Sequence, residues 1–589
     1  MTPAPVHHRT SNARPEEPPP EDGVLVGVDL RGIQDYVYSG RRILDAVGRA
    51  ALVAELTDTS DPVHGVADLI PERCLILRDA GGALTAVLPD RESARHLVSR
   101  YTRRLRDRAG ELTPVVALVP FGARGPADGG GPEAPDLDTA LAVLPACLRR
   151  ARRYMSALHT PAHGYGVTAI CSVGGGPAES VDSSRSEHDR VAADVVRARG
   201  IGRRWHREHS RAWLTDAVTA SGDPNLALPM EVDRLGRDHG GVSRVAVVHV
   251  DVNGLGATLA EYRDRVGDPD RPGSGALAQR SLSTRIVGLT EGLARALVRA
   301  VAATVRVDPG EAPYVPDRWH GGRITLDHEP PGPVRLPVRP IVVAGDDLTV
   351  LCDARLALSM TRYAMEWLDA DPERIEDPED PRAALHRVLA AARGMSGRIV
   401  VRGGRRHVTF VPTVGVGIAV QPVGAPLSLG YDLCETMCRM AKDDRAARIE
   451  DDPAAAEEHA VAWTTRFDGV DRVRRRLEAD LREDPPRTAR PMSGGEFFRF
   501  LDRYLRAGGP LADDTARNRG WLVSSLVPLL ESGADPAPEL ARRARATGRP
   551  VALPKDWSRG ELLDAVGVMD LYADPGLAET SCRGGGGSR

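Results

Sequence analysis

Lysine is almost missing from this chain: across 589 residues only Lys442 and Lys555 occur, so nearly all of the 78 basic side chains are arginine. With 60 glycines, 46 prolines and abundant alanine, this is the bias of a GC-rich genome, and arginine richness alone carries no functional weight. The formal net charge of −4 excludes a global attraction to nucleic acid or to a membrane surface, though not a local basic groove. Seven cysteines, at positions 74, 147, 171, 352, 434, 438 and 582, form no C-x-x-C pair and no disulfide framework, as expected in a reducing compartment. No stretch of 18 apolar residues occurs, and the Pro/Glu-rich N-terminus has no apolar signal core; the expectation is a cytoplasmic protein with no membrane segment.

What is present is an ordinary globular composition, 42% hydrophobic and 27% charged, on a chain long enough for three or four domains. Residues 1–22 read as a disordered leader. Residues 23–164 then run strand ("GVLVGVDL"), helix ("RRILDAVGRAALVAELT"), hairpin ("RCLILRDAGGALTAVLPD"), helix and strand ("TPVVALVPF"). The same order recurs over 241–450, with "RVAVVHVDVNGLG", a long amphipathic helix, the hairpin "RPIVVAGDDLTVLCD", a helix, the strand "HVTFVPTVGVGIAV" and the closing helix "SLGYDLCETMCRMAKDD". The expectation is therefore an α/β (α+β) chain that uses one ferredoxin-like β-α-β-β-α-β unit twice. A linker of mixed helix and loop spans 165–240, an all-α segment spans 451–577, and residues 578–589 are a flexible tail.

The chemistry concentrates in the second copy. In "RPIVVAGDDLTVL", Asp346 and Asp347 interrupt an apolar run where one unpaired buried carboxylate costs several kcal/mol. Gly345-Asp346 makes a two-residue hairpin turn, and taken alone the acids fit an exposed turn. Acids converging at such a tip repel each other unless a cation is present, and Mg²⁺ takes hard oxygen ligands of this kind. In "HVDVNGLG", Asp251 ends the first strand of the same unit, and Asn253, Gly254, Leu255 and Gly256 lead towards a helix that does not begin at once. On its own this turn fits a plain strand exit or a weak dinucleotide-type loop. Together, Asp251, Asp346 and Asp347 make a three-carboxylate cluster at one end of a sheet, the donor set for two metals at a phosphorus centre.

"VDVNGLG…VVAGDDLTVL" resembles the second palm of the large polymerase-like subunit of type III CRISPR effectors, a palm shared with GGDEF-type diguanylate cyclases and class III nucleotide cyclases. "GVDLRGIQDYVYSGRRILDAVGRAALVAEL" resembles the first palm of that family, and "LILRDAGGALTAVLPD" its degenerate hairpin, with glycines and no acids. The resemblance covers residues 24–450. It implies that Asp251, Asp346 and Asp347, with the Val252 carbonyl, hold two Mg²⁺ or Mn²⁺ ions. It implies further that an ATP triphosphate lies against Asn253–Gly256 and Gly345, with Lys442 near the phosphates. Lys442 also fits a solvated helix end. The implied activity joins ATP into cyclic oligoadenylates for antiviral defence. The implied partners are protein subunits of an RNA-guided complex, engaged through the C-terminal helices, with guide and target RNA contacted through the complex.

Three departures qualify the match. Ala344 stands where the family has glycine, which adds a methyl beside the expected phosphate path. No HD nuclease segment precedes the first copy; the one His-Asp dipeptide, His188-Asp189, reads as solvated surface, so no DNase activity is expected. The segment matching the family's zinc ribbon keeps Cys171 but has Gly174 for the second cysteine; with only His188, His206 and His209 downstream, no structural zinc is expected. Cys434 and Cys438, one helical turn apart, are expected to face the core. Two other readings stay open: a stand-alone defence cyclase with another nucleotide or product, and a scaffold with a vestigial site. Diguanylate cyclase activity fits least, because A-G-D-D-L lacks the acid-Phe ending.

Overall fold

A computed structural model describes residues 19–577 apart from 41, 123–134, 159–166, 174–175, 184–187, 215–216, 218–224, 236–243, 269, 320, 391–397, 403–404, 410–411, 507–519, 549–552 and 554. Most of the expected leader, Gly174 and the expected tail lie outside these residues. The described chain is mixed α/β, with several sheets and many helices.

The first sheet is built from β1 (Gly23–Arg31), β2 (Leu75–Ala80), β3 (Ala83–Leu88) and β4 (Thr113–Phe121). Their order is β2-β3-β1-β4 and every neighbouring pair is antiparallel. Between the strands run α1 (Ile33–Tyr38), α2 (Ile43–Thr57) and α3 (Arg91–Arg108). The β-branched run of β1 alternates its faces, as a strand must. Val24, Val26, Val28 and Leu30 pack with Leu52 and Leu56 of α2 and with Leu97 and Tyr101 of α3. Leu25 turns to the opposite face, which α4 (Leu137–Leu158) covers with Leu141 and Leu144.

The second sheet repeats the order. Its strands are β5 (Arg244–Val252), β6 (Val338–Ala344), β7 (Asp347–Asp353) and β8 (Val414–Pro422), arranged β6-β7-β5-β8 with antiparallel neighbours. Even-numbered β5 residues from Ala246 to Val252 face a core with α7 (Ser274–Thr304) and α8 (Ala357–Leu368), through Ile286, Leu289, Leu293 and Met360. The odd face, with Val245, Val247, Ile341, Leu351 and Ala419, is covered by α10 (Leu427–Asp451). α6 (Leu255–Val266) and α9 (Pro381–Ala390) complete the helices of this region.

The core under α10 also contains Val37, Tyr38, Ile43, Ala46 and Val47 of the first unit, so the two units share buried surface. Tyr38 stacks on Tyr431 with ring centroids 4.1 Å apart and 15° between planes. In the linker, the helix α5 (Ala193–Leu214) is tied to α2 by a buried Arg199, whose Nε donates to Asp45 at 2.6 Å. His188 is exposed as expected, but Asp189 is not merely solvated surface: it pairs with Arg42 at 2.6 Å and Arg199 at 3.3 Å. Cys171 is buried, its Sγ accepting the backbone N–H of Ala192 at 3.3 Å.

The expected all-α segment from 451 needs correction. Residues Ala460–Thr464 form β9, paired parallel to β8, and Met492–Ser493 form β10, antiparallel to β9, so the second sheet has six strands. The helical periodicity on either side of "AVAWT" hides a five-residue apolar strand, too short to stand out by pattern. Trp463, Phe497, Phe500 and Tyr504 then join the core beneath α7 and α8, which makes the segment an extension of the second unit. Among the described residues no helix is long and apolar enough to cross a membrane.

Trp463 is almost fully buried among Phe497 and Phe500. Trp463→Ala is therefore expected to cost about 3–5 kcal/mol. In denaturant melts the loss should appear in the transition of the second sheet; a separately melting C-terminal unit with an unmoved main transition would contradict the shared core.

Candidate active site

Site geometry follows from the register of three strands. The turn after β6 is closed by Ala344 opposite Asp347, with Gly345 at φ 64° and Asp346 at the tip. Glycine is needed there because a two-residue hairpin requires a left-handed backbone. Across the sheet, Asp347 lies opposite Asp251 on β5, and Asp251 lies opposite Gly415 on β8. One step along, Thr349, His249 and Gly417 form the next row. Both rows point to the face that α10 covers.

The two glycines let α10 descend onto that face. A Cβ at position 417 would lie 1.8 Å from the Cys434 carbonyl oxygen, and one at 415 would lie 2.7 Å from Lys442 Cγ. The Lys442 stem therefore lies across Gly415, its ammonium pairs with Asp251, and its Nζ also donates to the Val252 carbonyl at 3.4 Å. Lys442 stands well inside α10, which runs on to Asp451, so it is not a helix end. The expected burial of Cys434 and Cys438 is found, and Cys438 donates its thiol to the Gly415 carbonyl at 3.3 Å. Burial pushes the Cys438 thiol up to about 12.

Electrostatically the tip is overloaded with acid. Burial, then Asp251 and then Asp346 push Asp347 up to about 7, with Lys442 acting in the opposite sense. Burial and Asp251 also raise Asp346 above the usual carboxylate range. Like charges directly opposite in a sheet destabilise it. His249 brings no charge to relieve them: burial, reinforced by Lys442, pushes it down to about 4 against the pull of Asp251, so it is neutral near pH 7. Its Nδ1 shares a hydrogen bond with Thr349 at 3.1 Å, and its Nε2 lies 4.0 Å from Asp347. Asp346 and Asp347, both raised, stand at the tip with Asp251, which is paired to Lys442, and carboxylate oxygens of this kind are donors that hard divalent cations take. Asp251, Asp346, Asp347 and the Val252 carbonyl are the groups that would hold them.

The turn after β5 departs from expectation in two respects. Helix α6 begins at once, at Leu255, with Gly254 as its left-handed N-cap at φ 67°. Asn253 is turned away from the surface: it is buried, its N–H donates to the Thr413 carbonyl at 2.9 Å and its side-chain amide donates to Thr413 Oγ1 at 3.2 Å. Asn253 braces the turn, and the exposed backbone of Gly254–Gly256 is what faces solvent. Gly345 is buried because the first unit's own turn abuts it; a Cβ on Gly345 would lie 3.8 Å from Gly81 Cα.

Motif reading alone misses His249, although "HVDV" places it on the same strand face as Asp251, two residues away. His249, Asp251 and Cys438 bring ligand-type atoms within 4.8 Å of one another. A cavity of about 370 Å³ opens beside this row between the two units. Ile33, Val37 and Tyr38 line it from one side, and Val343, Ala344 and Asp347 from the other.

No family model matches the sequence and no curated protein matches it. Among solved structures, the chain is similar to Csm1 in T. onnurineus, at 14% identity and a TM-score of 0.44 over 93% of this chain and 70% of that one. It is also similar to a Csm1–Csm4 cassette in complex with cA4, at 12% identity and 0.43 over 94% and 70%. A third is a Csm1–Csm4 cassette in complex with AMPPNP, at 13% identity and 0.41 over 93% and 70%. Likenesses at such identities and scores assign no chemistry to this chain.

The raised Asp347 sets a sign for stability. Its folded-state value of about 7 exceeds the roughly 3.9 of an unfolded aspartate, so between these values the native state holds the extra proton. Stability contributed by this group is therefore lost as pH rises from about 4 to about 7. Asp347→Asn should raise the melting temperature of metal-free protein at pH 8 by about 2–4 °C, a modest gain because the side chain is 45% exposed. The same variant should lose the upward melting shift that Mn²⁺ gives the parent. A melting point unchanged by both substitution and Mn²⁺ would remove the electrostatic argument for this site.

Proposed function

We propose that the chain is a nucleotidyltransferase of the CRISPR-polymerase type, with two ferredoxin-like palms of which only the second is active, converting ATP to cyclic oligoadenylate-type products. The observation that carries this reading is the facing pair Asp251 and Asp347, capped by Asp346, at the tip of an A-G-D-D hairpin inside a β-α-β-β-α-β sheet. Its counterpart in the first sheet, Ala80-Gly81-Gly82-Ala83, makes the same two-residue turn without acids. The palm boundaries proposed are 23–164 and 241–450, with the strands at 460–464 and 492–493 added to the second.

When bound, two Mg²⁺ or Mn²⁺ ions would supply the acidification of an attacking 3′-hydroxyl and the neutralisation of a leaving pyrophosphate. The protein's own share is positioning and charge. Lys442 holds Asp251 in place and supplies a cation beside the Val252 carbonyl. The N–H groups of Gly254–Gly256 open α6 towards solvent, where a helix N-terminus favours phosphate. The inter-unit cavity is of a size suited to a nucleoside, and Ala344 is among the residues that line it. Neutral His249, hydrogen-bonded with Thr349, adds no charge at the buried end of the carboxylate row.

Partner subunits belong to this reading through the C-terminal segment, and guide and target RNA through the complex they form. Ala537–Thr547 has no buried residue, and Arg542, paired with Glu539, lies on its exposed side. Incubation of the chain, alone and with RNA-bound partners, with each nucleoside triphosphate and Mn²⁺ should yield cyclic oligoadenylates from ATP by mass spectrometry. Asp346→Ala/Asp347→Ala should cut turnover by at least about a thousandfold, a barrier change of roughly 4 kcal/mol. Turnover surviving that change would sink the site assignment; no product with any triphosphate, even with partners, would favour a scaffold.

A further inference from the structure

We propose that Arg78, carried by the acid-free first unit, binds the phosphate chain of the nucleotide held at the Asp251–Asp346–Asp347 tip of the second. The inference deepens the nucleotidyltransferase reading and rests on it.

The two hairpin turns meet end to end. A Cβ built on Gly81 would lie 3.8 Å from Gly345 Cα and 3.6 Å from the terminal Nη2 of Arg78. The guanidinium, the first unit's turn and the glycine of A-G-D-D are thus immediate neighbours. Arg78 lies on β2 where the register against β3 shifts between Ile76 and Arg78, an irregularity of the type that re-aims a side chain near a functional site. It is exposed, and it makes no hydrogen bond or ion pair with any described residue. Arg199, Arg355, Arg382 and Arg490, by contrast, are each locked on aspartates.

Arg78 and Lys442 each pull Asp346 down against burial and Asp251. Lys442 is already engaged by Asp251 from the α10 side. Arg78 approaches from the opposite unit with its fork uncommitted. A triphosphate brings more negative charge to a tip that already carries three carboxylates, and it exposes pairs of oxygens that a planar guanidinium matches in bidentate fashion. A degenerate unit that has lost its acids therefore still contributes to the site, as the wall bearing the phosphate-binding cation. Nothing local in "LILRDAGGAL" signals this, because the segment reads only as an acid-free hairpin.

The test measures binding of ATP and of AMP to the full chain, with Ca²⁺ in place of the active metal, in the parent, Arg78→Ala, Arg78→Gln, Arg78→Lys and Asp347→Asn. Arg78→Ala and Arg78→Gln should weaken ATP by roughly 10–100-fold, the scale of one charge-assisted contact, and weaken AMP much less. Arg78→Lys should recover part of the loss, and the melting temperature of all three should match the parent, since Arg78 is exposed and holds no hydrogen bond or ion pair with any described residue. ATP affinity unchanged in Arg78→Ala while Asp347→Asn binds poorly would overturn the role of Arg78 and leave the nucleotide site standing. An equal loss for ATP and AMP would also overturn it, because a contact to the distal phosphates distinguishes the two. ATP affinity that is absent in the parent, or untouched by Asp347→Asn, would overturn the underlying reading and this proposal with it.

Discussion

Everything at the candidate site depends on one unfavourable contact: two aspartates held opposite each other on neighbouring strands, with a third at the turn above them. The sheet register fixes Asp347 against Asp251 whatever their charge, because the apolar faces of β5, β6 and β7 are committed to cores on both sides. Moving either strand by one residue would carry every core side chain to the wrong face. The carboxylates therefore stay opposite each other, and burial together with the neighbouring Asp251 raises Asp346 and holds Asp347 near 7. A local conflict that the surrounding structure over-determines is the usual mark of a functional site.

How the second unit manages this conflict explains its other irregular features. Glycines at 415 and 417 interrupt a strand that otherwise favours β-branched residues, and glycine in a strand costs stability. Their return is the close seating of α10, which brings Lys442 to Asp251 and closes Cys438 over the Gly415 carbonyl. Tyr431 on the same helix stacks on Tyr38 of the first unit, so the helix that steadies the acids also fixes the neighbouring unit. The tip-to-tip approach of Gly81 and Gly345 follows from that shared core.

Much of this is legible in the sequence, for identifiable reasons. The hairpins announce themselves by Gly81-Gly82 and Gly345-Asp346 between alternating apolar runs, and both turns fall where that signal puts them. Asp251 belongs beside them because a β-α-β-β unit puts its first strand next to the hairpin, as the register bears out. What stays hidden depends on long-range contact. "AVAWT" becomes a strand only because β8 offers an edge, and nothing local distinguishes it from its helical surroundings. Asn253 looks like a ligand-facing turn residue, and only Thr413, 160 positions away, shows that its amide points inward. His249 does carry a local signal, since alternation alone puts it beside Asp251.

The retention of lysine at 442, in a chain that uses arginine almost everywhere else, has a physical reason in this geometry. The side chain must cross the bare backbone of Gly415, where even a methyl would fall 2.7 Å from its stem, and end as a compact charge between Asp251 and the Val252 carbonyl. A guanidinium is planar and wide; it would engage a carboxylate in a rigid two-point grip. An ammonium on a flexible stem neutralises one aspartate through a single point and can swing aside when a stronger charge arrives. Lys442 thus answers Asp251 through a single point without capping the acids around it.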